Sequence, residues 1–142
     1  MTLEQNKNTV VRLYTEANDA RRYDVIDEIC TPDIQIHDPL AGDSTGIEAF
    51  KGLLAFFAQA FSAQKTELRQ VIAEGDFVAV LHTHTGVHTG TFNGMAPTGY
   101  KITVPGIELF RMKDGKVAEF WRGDADLSLM MQLGAIPAPV GA

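Results

Sequence analysis

The stretch "YKITVPGIELFRMKDGKVAEFW", Tyr100 to Trp121, decides the fold. Two runs rich in β-branched and aromatic residues flank Asp114-Gly115, a pair that accepts the positive φ angles of a tight hairpin turn at low cost. The turn makes the two runs antiparallel neighbours. A strict two-residue loop places Glu108 opposite Trp121 and Ile107 opposite Arg122, so Glu108, Trp121 and Phe110 share one face. On a concave face, Glu108 would be a carboxylate against an aromatic wall. On a convex face it would be a solvated or interface charge, and the pattern leaves both open.

Upstream, "TELRQVIAEGDFVAVLHTHTG" reads as two further strands reversing at Glu74-Gly75-Asp76. A third surrounds Val87 to Phe92, followed by the loop "NGMAPTG". The first part of the chain has helical spacing instead. Residues 3–19 carry Val10, Leu13, Tyr14 and Ala17 on one face, and Arg21 to Cys30 reads as a short second helix stopped by Pro32. "DIQIHDP" alternates as a short strand, and Ala41 to Gly46 reads as loop. Thr45 and Glu48 stand at capping-box spacing before a helix with Phe50, Leu53, Leu54, Phe57 and Phe61. Asp126 to Leu133 reads as a last helix, stopped by Gly134. The expected class is α+β, a curved antiparallel sheet wrapped around N-terminal helices with a conical pocket between them.

Composition narrows the function. The 142 residues suit a single domain, 1–142, and the 45% hydrophobic and 21% charged fractions are those of a soluble globular chain. A net charge of −6 and no basic run longer than Arg21-Arg22 argue against a nucleic-acid partner. "AFKGLLAFFAQAF" is too short to cross a bilayer, and the first residues lack a secretory pattern. The single cysteine, Cys30, forms no internal disulfide, which fits a reducing, cytoplasmic setting.

The chain resembles the SnoaL-like polyketide cyclase or ester cyclase family of the nuclear-transport-factor-2-like superfamily. The likeness rests on "HDP" (His37 to Pro39), "VIAEGDFVAV" (Val71 to Val80), Gly86 to Trp121, and "LMMQLG" (Leu129 to Gly134). It implies an enzyme without cofactor or metal, acting on a hydrophobic small molecule that bears a carbonyl. A carboxylate would take a proton from the carbon beside that carbonyl, and a dry pocket would raise its pKa. In the family an acidic residue follows the last strand's Trp. Here "EFWRGDADLS" puts Arg122 at that place, with Asp124 and Asp126 as the nearest carboxylates.

The catalytic candidates are therefore Asp124, Glu108 and His84. Asp124 or Asp126 equally suits the N-cap of the last helix, the reading we favour from sequence. Arg122 either clamps the substrate or pairs with an acidic neighbour. Tyr14, Phe57, His37 and Trp121 are candidate pocket walls. His82, His84 and His88 are spaced so that a strand points all three one way, the pattern of a polar lining or of a metal-dependent hydrolase. Gly86 is expected to bend the strand and turn His88 away. Leu81, Ile102, Leu109 and Phe110 cannot all face inward, which suggests a homodimer. The remaining alternative is a non-catalytic ligand-binding domain of the same fold.

Overall fold

The computed structural model describes residues 1–139. Helix α1 (Leu3–Arg12) continues into a π-helical segment (Leu13–Asp19), followed by α2 (Asp24–Ile29), β1 (Cys30–Asp38), β2 (Gly42–Thr45) and α3 (Ile47–Ala60). Four long strands come next: β3 (Phe61–Glu74), β4 (Phe77–His88), β5 (Lys101–Lys113) and β6 (Lys116–Trp121). Helix α4 (Asp126–Gln132) ends the regular structure. The six strands form one curved, unclosed sheet in the order β2-β1-β6-β5-β4-β3. All pairs are antiparallel except β1 with β6, which is parallel, so the expected antiparallel sheet carries one exception.

Helices α1, α2 and α3 lie across the concave face. There Val10, Ile26, Ile34, Phe50, Phe110 and Phe120 are fully or almost fully buried. Phe50, Phe120 and Phe110 stack in sequence, with centroids 5.2 and 5.1 Å apart. Each such ring contributes about 1.5–3 kcal/mol on burial.

Several local expectations are corrected. The single helix over residues 3–19 changes to π geometry at Leu13, with Ala20 N–H donating to Thr15 O, five residues back. Residues 42–45 form an edge strand rather than loop, because they pair with β1. Gly46, at φ +104°, stands at the N-cap of α3, so the Thr45–Glu48 capping box does not form. The strand expected around Val87 to Phe92 is the end of β4, which runs to His88. Beyond it, Phe92 and Met95 make only an isolated bridge.

The decisive hairpin carries the most consequential correction. Lys113 pairs with Lys116 and Met112 with Val117, as the two-residue turn requires. The next pair is Arg111 with Glu119, so Ala118 is an extra residue, and the bulge shifts everything beyond it by one. Trp121 faces Leu109, not Glu108. Glu108 and Phe110 point into the concave side, and Trp121 points out.

Candidate active site

A pocket opens between α3, the π-helical segment and the concave sheet. Leu13, Leu54, Phe57, Phe61, Ile102 and Val104 form much of its apolar wall. Its polar end is built by three neighbouring strands. His82 on β4 pairs with Gly106 on β5, and Gly106 bridges to Asp124 just beyond β6. The two side chains meet over the glycine, although their strands are not neighbours. A Cβ at Gly106 would stand 2.8 Å from Asp124 Oδ1 and 2.8 Å from the Gly123 carbonyl. One at Gly123 would run into the Ile107 carbonyl. Only glycine permits this approach.

Glu108 lies two residues further along β5 on the same face and is 3% exposed. Tyr14, from the π-helical segment, donates its hydroxyl to Glu108 Oε1 at 2.8 Å. His82 Nε2 sits 3.1 Å from Glu108 Oε1 and 3.3 Å from Asp124 Oδ1. It is aligned on neither, so this is a shared charge contact rather than one directed hydrogen bond. His84 lines the pocket with its Nε2 3.7 Å from Asp124 Oδ1.

These environments push two carboxyls apart. Burial and the charge of Glu108 raise Asp124 from 3.8 to about 7, against the opposing pull of Arg122 and His82. Burial also works against an ionised Glu108, but the close contact and charge of His82, with the Tyr14 donor, outweigh it and hold the group below the usual range. Burial opposes a charge on His82, yet its close contact with Glu108 and the charges of the two carboxylates raise its pKa. His84 is pushed down by burial to about 4, so its ring is neutral near pH 7. Burial, then the charge and bond of Glu108, keep the Tyr14 hydroxyl protonated. One group poised near neutrality beside one held ionised is the arrangement that assigns acid and base.

Arg122 is buried and spends all five N–H groups on carboxylates. Nε and Nη2 reach Asp38, Nη1 reaches Asp124 and Asp126, and Nη2 also reaches Asp126. Its guanidinium lies 5.2 Å from the centre of the Phe57 ring. Of the two sequence readings, the structure supports pairing with acidic neighbours. The N-cap reading is overturned: Ala125 holds that position without a side-chain bond, because Arg122 takes the carboxylates of Asp124 and Asp126.

Tyr14, Phe57, His84, Glu108, Arg122 and Asp124 line the pocket, and His82 is buried behind them. His37 and Trp121 do not line it. They stack on each other on the convex face at 5.2 Å, with His37 between Asp43 and Glu119. The bulge at Ala118 is the reason for Trp121.

His88 is on the same face of β4 as His82 and His84, yet stands apart from them. An irregularity does fall at Gly86, but it lies in β3, whose register shifts between Ser62 and Lys65 opposite the glycine; β4 itself pairs with β5 in unbroken register from Phe77 to Val87 and does not turn His88 away. Distance along the strand removes His88, whose Nδ1 accepts from Thr98 N–H at 3.1 Å. The metal-type set among the described residues is instead His82, His84, Glu108 and Asp124, with one ligand atom of each within 4.8 Å of the others. That spacing would admit a divalent cation, although Arg122 and Tyr14 already supply partners to the two carboxylates.

Sequence reasoning did not single out Asp19, Thr66 or Gly106. The signal for Gly106 was present, a glycine inside an otherwise β-rich run.

An acid–base cluster closing an apolar cone between helices and a curved open sheet defines a pocket protein of the nuclear-transport-factor-2-like fold. The chain belongs to the SnoaL-like polyketide cyclase family, whose model matches residues 8–133. Among solved structures it is similar to a protein from Jannaschia sp. CCS1 described as a SnoaL-like polyketide cyclase. The two are 32% identical over 94% of each chain, with a TM-score of 0.87. It is similar also to AclR of Streptomyces galilaeus, described as a hydroxylase: 26% identity over 99% of this chain and 87% of that one, TM-score 0.86. IdmH of Streptomyces antibioticus, described as a polyketide cyclase, is 28% identical over 92% and 99%, TM-score 0.81. No curated protein matches the chain. Family and neighbours together support a cyclase-type function. Among the described residues no helix is long and apolar enough to cross a membrane.

Proposed function

We propose that this protein is a cofactor-independent enzyme of the polyketide or ester cyclase type. It takes a proton from the carbon beside a carbonyl of a hydrophobic small molecule, with cyclisation or a related lyase, isomerase or hydrolase step. The observation that carries this reading is the row His82-Gly106-Asp124, with Glu108 beside it, at the polar end of an apolar pocket. Asp124 Oδ2 is held by Arg122, and Oδ1 has no hydrogen bond of its own. Asp124, whose carboxylate lines the pocket, is therefore the base. The carbon's proton goes to that carboxylate, and the electron pair left behind moves onto the carbonyl oxygen as an enolate. Glu108, held below the usual carboxylate range by His82 and Tyr14, in turn raises the pKa of His82.

A purely ligand-binding role is less favoured, because holding two carboxylates in a buried row costs stability that a carrier has no use for. The test is turnover of hydrophobic β-keto esters in chelator-treated buffer. Asp124→Asn should lower kcat/KM by about 10²–10⁴-fold. Unchanged turnover would remove Asp124 from the mechanism.

We further infer a cytoplasmic homodimer. The apolar row Ile72, Leu109 and Trp121, with Leu81 and Ile107 beside it, stands on the convex face, whereas Ile102 and Phe110 are buried inside. Covering that row removes apolar area from water. Sedimentation at the mass of one 15.5 kDa chain at micromolar concentration would overturn the dimer.

A further inference from the structure

The π-helical segment sends a second hydrogen-bonded chain towards the site, and it ends on His84. Asp19 closes that segment. Its Oδ2 accepts from the Thr66 backbone N–H and its Oδ1 from the Thr66 hydroxyl, each at 2.8 Å, while Asn18 Nδ2 donates to Oδ1 at 3.1 Å. Thr66 pairs directly with His84 across β3 and β4, and its Oγ1 lies 2.8 Å from His84 Nδ1.

The direction of this chain follows from counting protons. A carboxylate only accepts, so the one hydroxyl proton of Thr66 goes to Asp19. Thr66 Oγ1 then has only lone pairs left for His84, and the proton between them belongs to Nδ1. We propose that Asp19 and Thr66 are positioning residues that fix His84 as its Nδ1–H tautomer, presenting a bare Nε2 to the pocket. The group that meets Nε2 is then a proton donor: a hydroxyl or enol of the substrate, or the Asp124 carboxyl once it has taken up a proton. An oxyanion is not stabilised there.

Burial keeps the His84 ring neutral near pH 7, so its tautomer is a defined state. The π geometry is what makes the chain possible. On a regular α-helix, Tyr14 and Asp19 would point roughly 140° apart at 100° per residue. The wider turn lets one segment serve both Glu108 and Thr66.

The role of Nε2 as acceptor rests on the acid–base reading of the site, but the tautomer does not. Long-range ¹H–¹⁵N spectra of histidine-labelled protein at pH 7, without substrate, read it directly, with His84→Gln assigning the signals. The wild-type ring should be protonated at Nδ1 and bare at Nε2. Thr66→Val, which removes the acceptor, should move the proton at least partly to Nε2, and Thr66→Ser should restore the wild-type pattern. Asp19→Asn, whose amide can donate to Thr66 Oγ1, frees the Thr66 hydroxyl to donate to Nδ1 and should shift the ring the same way as Thr66→Val. A wild-type ring protonated at Nε2, or a Thr66→Val spectrum like wild type, overturns the relay. Turnover of the β-keto ester should fall about tenfold or more in Thr66→Val and recover in Thr66→Ser. A shifted tautomer with unchanged turnover overturns the role of Nε2 while leaving Asp124 as base untouched.

Discussion

Replacing Asp124 by Asn should make the protein more stable, and increasingly so as pH rises. The folded carboxyl titrates at about 7 and its reference value is 3.8. A carboxyl whose folded pKa lies above the unfolded one binds its proton more tightly in the fold, so stability falls as pH climbs between the two values. At about 1.4 kcal/mol per pH unit, the full cost of ionising Asp124 in place is roughly 4 kcal/mol at pH 8. About 2 kcal/mol of that cost accrues between pH 5 and pH 7, where the slope is already easing towards the folded pKa. Asn has the shape of the protonated acid and still accepts from Arg122, but it never pays for ionisation. The advantage of Asp124→Asn over wild type should therefore grow by about 3 kcal/mol from pH 5 to 8 and level off above it. For a chain of this size that is a widening of roughly 10 °C in Tm. Urea denaturation at pH 5, 6, 7 and 8 measures it, and taking the difference between the two proteins cancels most other titrating groups. A difference that stays constant over this range, or one that shrinks with rising pH, would refute the reasoning.

Arg122→Met leaves Asp38, Asp124 and Asp126 without their common cation, so unfolding free energy at pH 7 should drop by about 3–5 kcal/mol. Gly106→Ala pushes a methyl against the Gly123 carbonyl and Asp124 Oδ1, both 2.8 Å from the new carbon, and should cost about 1–3 kcal/mol in urea titrations. Turnover in that variant should fall further than stability does, because the row of acid and imidazole is forced apart. Adding Zn²⁺ or Mn²⁺ should leave Tm unchanged, whereas a concentration-dependent rise would assign His82, His84, Glu108 and Asp124 to a cation.

The order of helices and strands was legible because it rests on apolar period and on two strong turn signals, Gly75-Asp76 and Asp114-Gly115. The face of Glu108 was not. One extra residue at Ala118 inverts every pairing beyond it, and Val117-Ala118 bears neither glycine nor proline to mark a bulge. Tyr14, Phe57, His84, Glu108 and Asp124 were all picked out, since polar and aromatic residues on helix and strand faces stand out against an apolar pattern. What joins them was hidden. Arg122 reaches Asp38 across the parallel β1–β6 pair, and Asp19 reaches Thr66 because the helix widens at Leu13. Neither a long-range strand pairing nor a π turn leaves a local trace in composition. The N-cap expectation for Asp124 failed for a related reason: a buried guanidinium outbids backbone N–H groups for a carboxylate.

The parallel contact between β1 and β6 has a consequence for how the protein comes together. Strands β3 to β6 pair with their neighbours in sequence, whereas β1 joins β6 across most of the chain. Contacts between nearby segments cost less loop entropy, so the four-strand meander should assemble ahead of β1. His82, Glu108 and Asp124 all sit on or at the edge of that meander. Tyr14, Asp19 and Asp38, which serve Glu108, Thr66 and Arg122, arrive with the N-terminal half. Until that half docks, the acids stand in water and titrate as ordinary carboxyls. The reactive state of Asp124 is thus made in the closing event of folding, and mutational φ-values should be higher in β4 and β5 than in β1.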